Sequence, residues 1–159
     1  MKVKVTLIDT SILCELLQVP GKSEPTRKAE MWDEVDVRSD EGERMVLPVT
    51  ALIETGNHIV QCGGDRHVVA KRLVDFLQLV LQADSPFLVP ELDFGRQFVA
   101  ALAGGASTGL TLAQLAAEKV GTGDVAILVQ RDQLLAGGDF DAVEVWTLDQ
   151  GLDRLASTT

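Results

Sequence analysis

The 159-residue chain predicts an α/β fold, a three-layer sandwich around a central, mainly parallel sheet of four to five strands. Two observations carry this. Four short runs, Val3 to Leu7, Met45 to Val49, Phe87 to Pro90 and Val143 to Thr147, alternate or stay apolar over the length of a strand. Between successive runs lie one or more stretches with apolar residues at helical spacing, and strands separated by helices pair in parallel through right-handed crossovers.

Each element has its own signal. The first strand ends in Ile8-Asp9, after which Thr10 or Ser11 can cap a helix through Leu17 that Pro20-Gly21 stops. Ser23-Glu24-Pro25 opens a second helix with a stripe of Ala29, Trp32, Val35 and Val37. After a polar turn at 39–42 and the second strand, Thr50 is placed to cap a helix from Ala51 to Gln61, ended by Gly63-Gly64. Asp65 caps a longer helix to about Leu81, its apolar face Val68, Val69, Leu73, Phe76, Leu77, Val80 and Leu81. The third strand is followed by a helix from Leu92 to Leu102, a loop over Gly104 to Gly109, and a helix from Leu112 to Val120 capped by Thr111. A break at Gly121 to Asp124 precedes a helix from Val125 to Leu135, and a short helix from Leu152 to Leu155 follows the last strand.

Composition sets limits. With 46% apolar and 24% charged residues the chain reads as one folded domain over 1–159, because no stretch resembles a linker. Aromatic residues make up 4% with no Tyr, which argues against an extended base-stacking surface. The net charge of −10 argues against a long nucleic-acid footprint and leaves room for a small one. Cys14 and Cys62 lack ligand-like spacing, so neither a zinc site nor a disulfide framework is expected. The opening MKVKVTLIDT has the pattern of a strand and not of an export leader, and no apolar run approaches the ~20 residues of a spanning helix, so a cytoplasmic protein without membrane contact is expected.

The chemistry concentrates in four acids. Asp9 leaves the first strand, Glu54 follows the second by about one helical turn, Asp124 sits at a helix start, and Asp149 leaves the last strand. A parallel sheet gathers such positions at one edge, where their oxygens suit Mg²⁺ or Mn²⁺ facing a phosphate. One or two ions there would position a water, lower its pKa and offset charge on the phosphate.

Four segments, Leu7-Ile8-Asp9-Thr10-Ser11, Leu47 through Gly56, Gly123 through Leu128, and Trp146-Thr147-Leu148-Asp149, resemble in order and flanking chemistry those of the PIN domain family. This family comprises metal-dependent ribonucleases, among them toxins of bacterial toxin–antitoxin pairs. The resemblance implies a Mg²⁺- or Mn²⁺-dependent ribonuclease, a hydrolase that cuts RNA phosphodiester bonds to leave a 5′-phosphate and a 3′-hydroxyl. It implies that Asp9, Glu54, Asp124 and Asp149 bind metal and are catalytic, that Thr10 or Ser11 orients Asp9, and that Thr147 supports the final carboxylate. Asp153, one turn beyond Asp149, becomes a candidate outer acid. Expected partners are RNA, an antitoxin protein and a second copy of the chain, with the helices Ile12 to Leu17 or Val68 to Leu81 as candidate interfaces.

Plainer readings stand beside these. Asp9 and Asp149 suit strand-end turns, and Asp124 complements a helix dipole. His58, four residues after Glu54, suits a surface hydrogen-bonding pair. Arg66, Lys71 and Arg72 form the densest basic cluster, a candidate for RNA phosphates or a solvated helix face. Trp32 and Trp146 suit packing better than base stacking. The alternative function is a PIN-like module of weak or absent activity that acts as a protein-interaction scaffold.

Overall fold

A computed structural model describes residues 3–158. The elements follow one another as β1 (Val3–Ile8), α1 (Thr10–Leu17), α2 (Arg27–Asp40), β2 (Arg44–Val46), α3 (Val49–Gln61), α4 (Arg66–Val80), β3 (Phe87–Leu88), α5 (Arg96–Ala103), α6 (Leu112–Ala117), α7 (Thr122–Gly137), β4 (Phe140–Trp146) and α8 (Gln150–Thr158). The sheet has four strands in the order β3-β2-β1-β4, every neighbouring pair parallel. Helices flank it as the outer layers of an α/β sandwich.

Alternation in the strands divides the core. From β1, Val5 and Leu7 join Val46, Ala51, Ile127, Leu134 and Val143 on the face covered by α7. Ile8 points the other way and joins Met45 and Leu47 with the apolar sides of α1, α2 and α4. On that second face Trp32, Phe76 and Phe87 meet edge to face with centroids 5.0 to 6.4 Å apart, and the Trp32 indole N–H donates to the Leu16 carbonyl. A smaller cluster of Phe98, Ala126 and Val129 fastens α5 to α7.

Several local expectations are corrected. The cap of α1 is Asp9 and neither Thr10 nor Ser11, its side chain accepting from Ile12 N–H at 3.1 Å. α3 starts after Pro48 without a side-chain cap, and the Thr50 hydroxyl accepts instead from Gln130. In α2 Trp32 and Val35 face the core as expected, with Met31 beside them, whereas Ala29 is exposed and Val37 is 51% exposed. All of Ile12 to Leu17 is buried in the core, which removes α1 as an interface. Val68 and Leu81 lie outside the buried face of α4. The Asp65 cap and the Thr111 capping box stand as the sequence suggests.

Burial predicts unequal costs on one helix. Val35→Ala should lower unfolding stability by about 1–3 kcal/mol, and Val37→Ala should change it by less than about 0.5 kcal/mol, both read by urea denaturation.

Candidate functional site

The strand order reverses at β1. From β1 the chain builds outward through β2 and β3, then returns to place β4 on the other side of β1. The crevice between the C-terminal ends of β1 and β4 is therefore a topological switch point, the place where open parallel sheets bind ligands. Asp9 and Asp149 leave the two strands that form it.

Asp9 is 2% exposed and fully engaged. Its Oδ1 accepts from the Ser11 hydroxyl at 2.6 Å and from Ile12 N–H, and its Oδ2 accepts from the Thr147 hydroxyl. The crevice is laced across by Asp9 N–H to the Trp146 carbonyl at 3.2 Å and Leu148 N–H to the Ser11 hydroxyl at 2.9 Å. Burial holds the Asp9 carboxyl above the usual carboxylate range despite these donors, and Asp149 adds to the rise.

Asp149 caps α8. Its Oδ1 accepts from Gly151 N–H at 2.7 Å and Leu152 N–H at 3.0 Å, leaving Oδ2 without a role in the cap. Thr147 does not reach this carboxylate. Its hydroxyl goes to Asp9, and only the backbone N–H of Asp149 donates to it, at 2.9 Å. Thr147 thus spaces the two acids by holding the side chain of one and the backbone of the other.

Glu54 extends from the second turn of α3, with His58 Nε2 3.8 Å from its Oε1 on the same helix face. Opposite it, a Cβ at Gly123 would lie 2.5 Å from Glu54 Oε2, so any larger residue there would make the end of the Glu54 side chain move. Asp124 follows in the first turn of α7. Burial first, then the charges of Asp149, Asp9 and Glu54, push its carboxyl up to about 7.

All four acids line one cavity of about 260 Å³, together with Thr10, Ser11, Cys14, Lys22 and His58. Burial pushes the Cys14 thiol up to about 11, so it enters this cavity as a neutral group. A second cavity of about 320 Å³ adjoins, sharing Asp124 and Asp149 and adding Lys119 and Arg154. Among the described residues, no group of three or more His, Cys, Asp or Glu side chains is placed, as it stands, to hold a metal ion. Four carboxylates without a counter-ion repel, each pair by about 1 kcal/mol at 4 Å in water and by more where solvent is partly excluded.

The remaining candidates lie elsewhere. Asp153 is exposed on α8 and lines neither cavity. Arg72 donates to the Leu17 and Gln18 carbonyls, closing the C-terminal end of α1, and Lys71 pairs with Asp75 at 3.3 Å. Arg66 is exposed at the start of α4, and none of the three lines the acidic cavity. Lys22, Lys119 and Arg154 carried no motif of their own, and only the folding of distant segments brings them to the acids. No family model, curated protein or solved structure matches the chain. No described helix is long and apolar enough to cross a membrane.

The raised Asp124 carboxyl sets a pH dependence. Without metal the folded chain keeps a proton that the unfolded chain releases near 3.8, so stability falls as pH rises from about 4 through about 7. Asp124→Asn should flatten that fall and, in chelator above pH 7, raise the thermal midpoint by about 2–4 °C. Thermal unfolding across pH, with wild type and variant side by side, measures it.

Proposed function

We propose that the chain is a divalent-cation-dependent endoribonuclease of PIN-like type. The observation that supports it best is the meeting of Asp9, Glu54, Asp124 and Asp149, from four separate segments, in one cavity at the sheet's switch point. The donor set is carboxylate and hydroxyl oxygen, which suits Mg²⁺ or Mn²⁺, and the burial and, after it, the neighbouring charges that raise Asp124 are what a cation would offset. These four acids would hold one or two ions. Bound there, such ions supply Lewis-acid polarisation of a phosphate and a lowered pKa for water.

The chain's own groups do the positioning. Ser11 and Thr147 fix both oxygens of Asp9, so its orientation is set before any ligand arrives. The first turn of α8 orients Asp149 through its cap. Lys22, on the cavity wall, is placed to meet a phosphate oxygen. No side chain is assigned as general base, since a water activated by a bound ion would need none. On this reading a small antitoxin and a second copy of the chain are the partners to look for, in the cytoplasm.

Purified protein should cut single-stranded RNA with Mg²⁺ or Mn²⁺, leaving 5′-phosphates, and both Asp9→Asn and Asp124→Asn should abolish cleavage while the circular dichroism stays native. Full cleavage by both variants would overturn the assignment, and no cleavage with no Mn²⁺ binding by wild type would leave the scaffold reading. Gly123→Ala gives a sharper test. A methyl group there displaces Glu54 but suits a helix, so cleavage should fall by about 10- to 100-fold while stability holds or rises by up to about 1 kcal/mol.

A further inference from the structure

We infer that the cavity walled by Lys119 and Arg154 is the seat of the RNA segment flanking the cleaved phosphate, with these two side chains holding its phosphodiester charge. The inference rests on the ribonuclease reading and adds to it the path of the strand.

Three observations carry it. The cavity of about 320 Å³ shares Asp124 and Asp149 with the acidic cavity, so a ligand spanning both passes directly over the acids. Its own walls are of a different character. Val120, Leu152 and Leu155 give apolar surface for a sugar or base, and Lys119 and Arg154 bring two cations against the single further acid Glu118. With the shared Asp124 and Asp149 and with Glu118 the cavity is not net positive, and its two cations are what a phosphodiester would meet once the shared acids hold a cation. With Lys22 on the lining of the acidic cavity, each of the two adjoining cavities offers at least one cation to a strand with successive phosphates.

The backbone at Lys119 agrees. It lies at φ 64°, in the left-handed region, where the chain turns out of α6 and Val120 N–H reaches back to the Leu115 carbonyl at 2.9 Å. Glycine is the residue that such a helix end favours, and a lysine there holds its charge at the cavity at a conformational cost. No ion pair is formed by Lys119 among the described residues.

The test is fluorescence anisotropy of a labelled single-stranded RNA oligonucleotide, with Ca²⁺ in place of Mg²⁺ to hold the acids neutralised without cutting, titrated across salt. Lys119→Gln with Arg154→Gln should weaken binding at least about tenfold and reduce the slope of log K against log salt by about 1.4, two phosphate contacts at about 0.7 each on a single strand. Arg66→Gln with Lys71→Gln should leave both quantities at their wild-type values. Lys119→Gly should lose binding without any fall in thermal midpoint, which separates a charge contact from a structural one. The Mn²⁺-induced thermal shift of the double glutamine variant should match wild type, showing that the acidic site is intact. Wild-type affinity and slope in the double variant would overturn this inference and leave the ribonuclease reading standing. Failure of the wild type to bind RNA at all would overturn both.

Discussion

Crowding of negative charge at the C-terminal edge of the sheet is the constraint on which the rest of the molecule depends. Parallel pairing leaves no choice about it, because β1 and β4 lie side by side, β1 runs directly into Asp9, and Asp149 follows the end of β4 by three residues. The helices that follow β2 and precede β4 bring Glu54 and Asp124 to the same cavity. A chain selected only for stability would not put four carboxylates there. The Asp124 carboxyl, pushed up to about 7 by burial first and then by the other three acids, shows that stability is spent at the point where chemistry is expected.

The surrounding structure is organised to keep that arrangement from relaxing. Asp9 and Asp149 each cap a helix, so moving either carboxylate would unsatisfy backbone N–H groups. Thr147 and Ser11 form a small hydroxyl bridge between the end of β4 and the start of α1, with their oxygens 3.4 Å apart. Gly123 lets the first turn of α7 approach Glu54 without moving the end of its side chain. Below the site the apolar interior anchors these termini, with Ile8 and Ile12 on either side of Asp9 completely buried.

The strands and the order of the acids were legible in the sequence, because period-two alternation and a strand-end carboxylate are local signals. The parallel topology followed from the helices between strands. What escaped was set by distant partners. Thr10 and Ser11 have the chemistry of a cap, yet the cap is Asp9, since Ser11 is drawn to the end of β4 by Leu148. Ala29 and Val37 fit a helical stripe in α2, but the core takes the side carrying Met31, Trp32 and Val35. Arg72 looked like part of a phosphate-binding cluster, and its guanidinium closes a helix end instead. Lys119 and Arg154 carry no motif, and their relation to the acids exists only once the folded chain puts them on one cavity with Asp124 and Asp149.

Coupling between cation and proton tests this account most directly. Calorimetric titration of Mn²⁺ into metal-free protein near neutral pH, repeated in buffers of differing ionisation enthalpy, reads both binding and the protons it displaces. If the four acids form one site, Mn²⁺ binds and releases about half a proton from Asp124 at pH 7, and more as the pH is lowered, because Asp124 must ionise to coordinate it, and the release falls in Asp124→Asn. No heat of binding at millimolar Mn²⁺, or binding with no proton released by wild type, would contradict it.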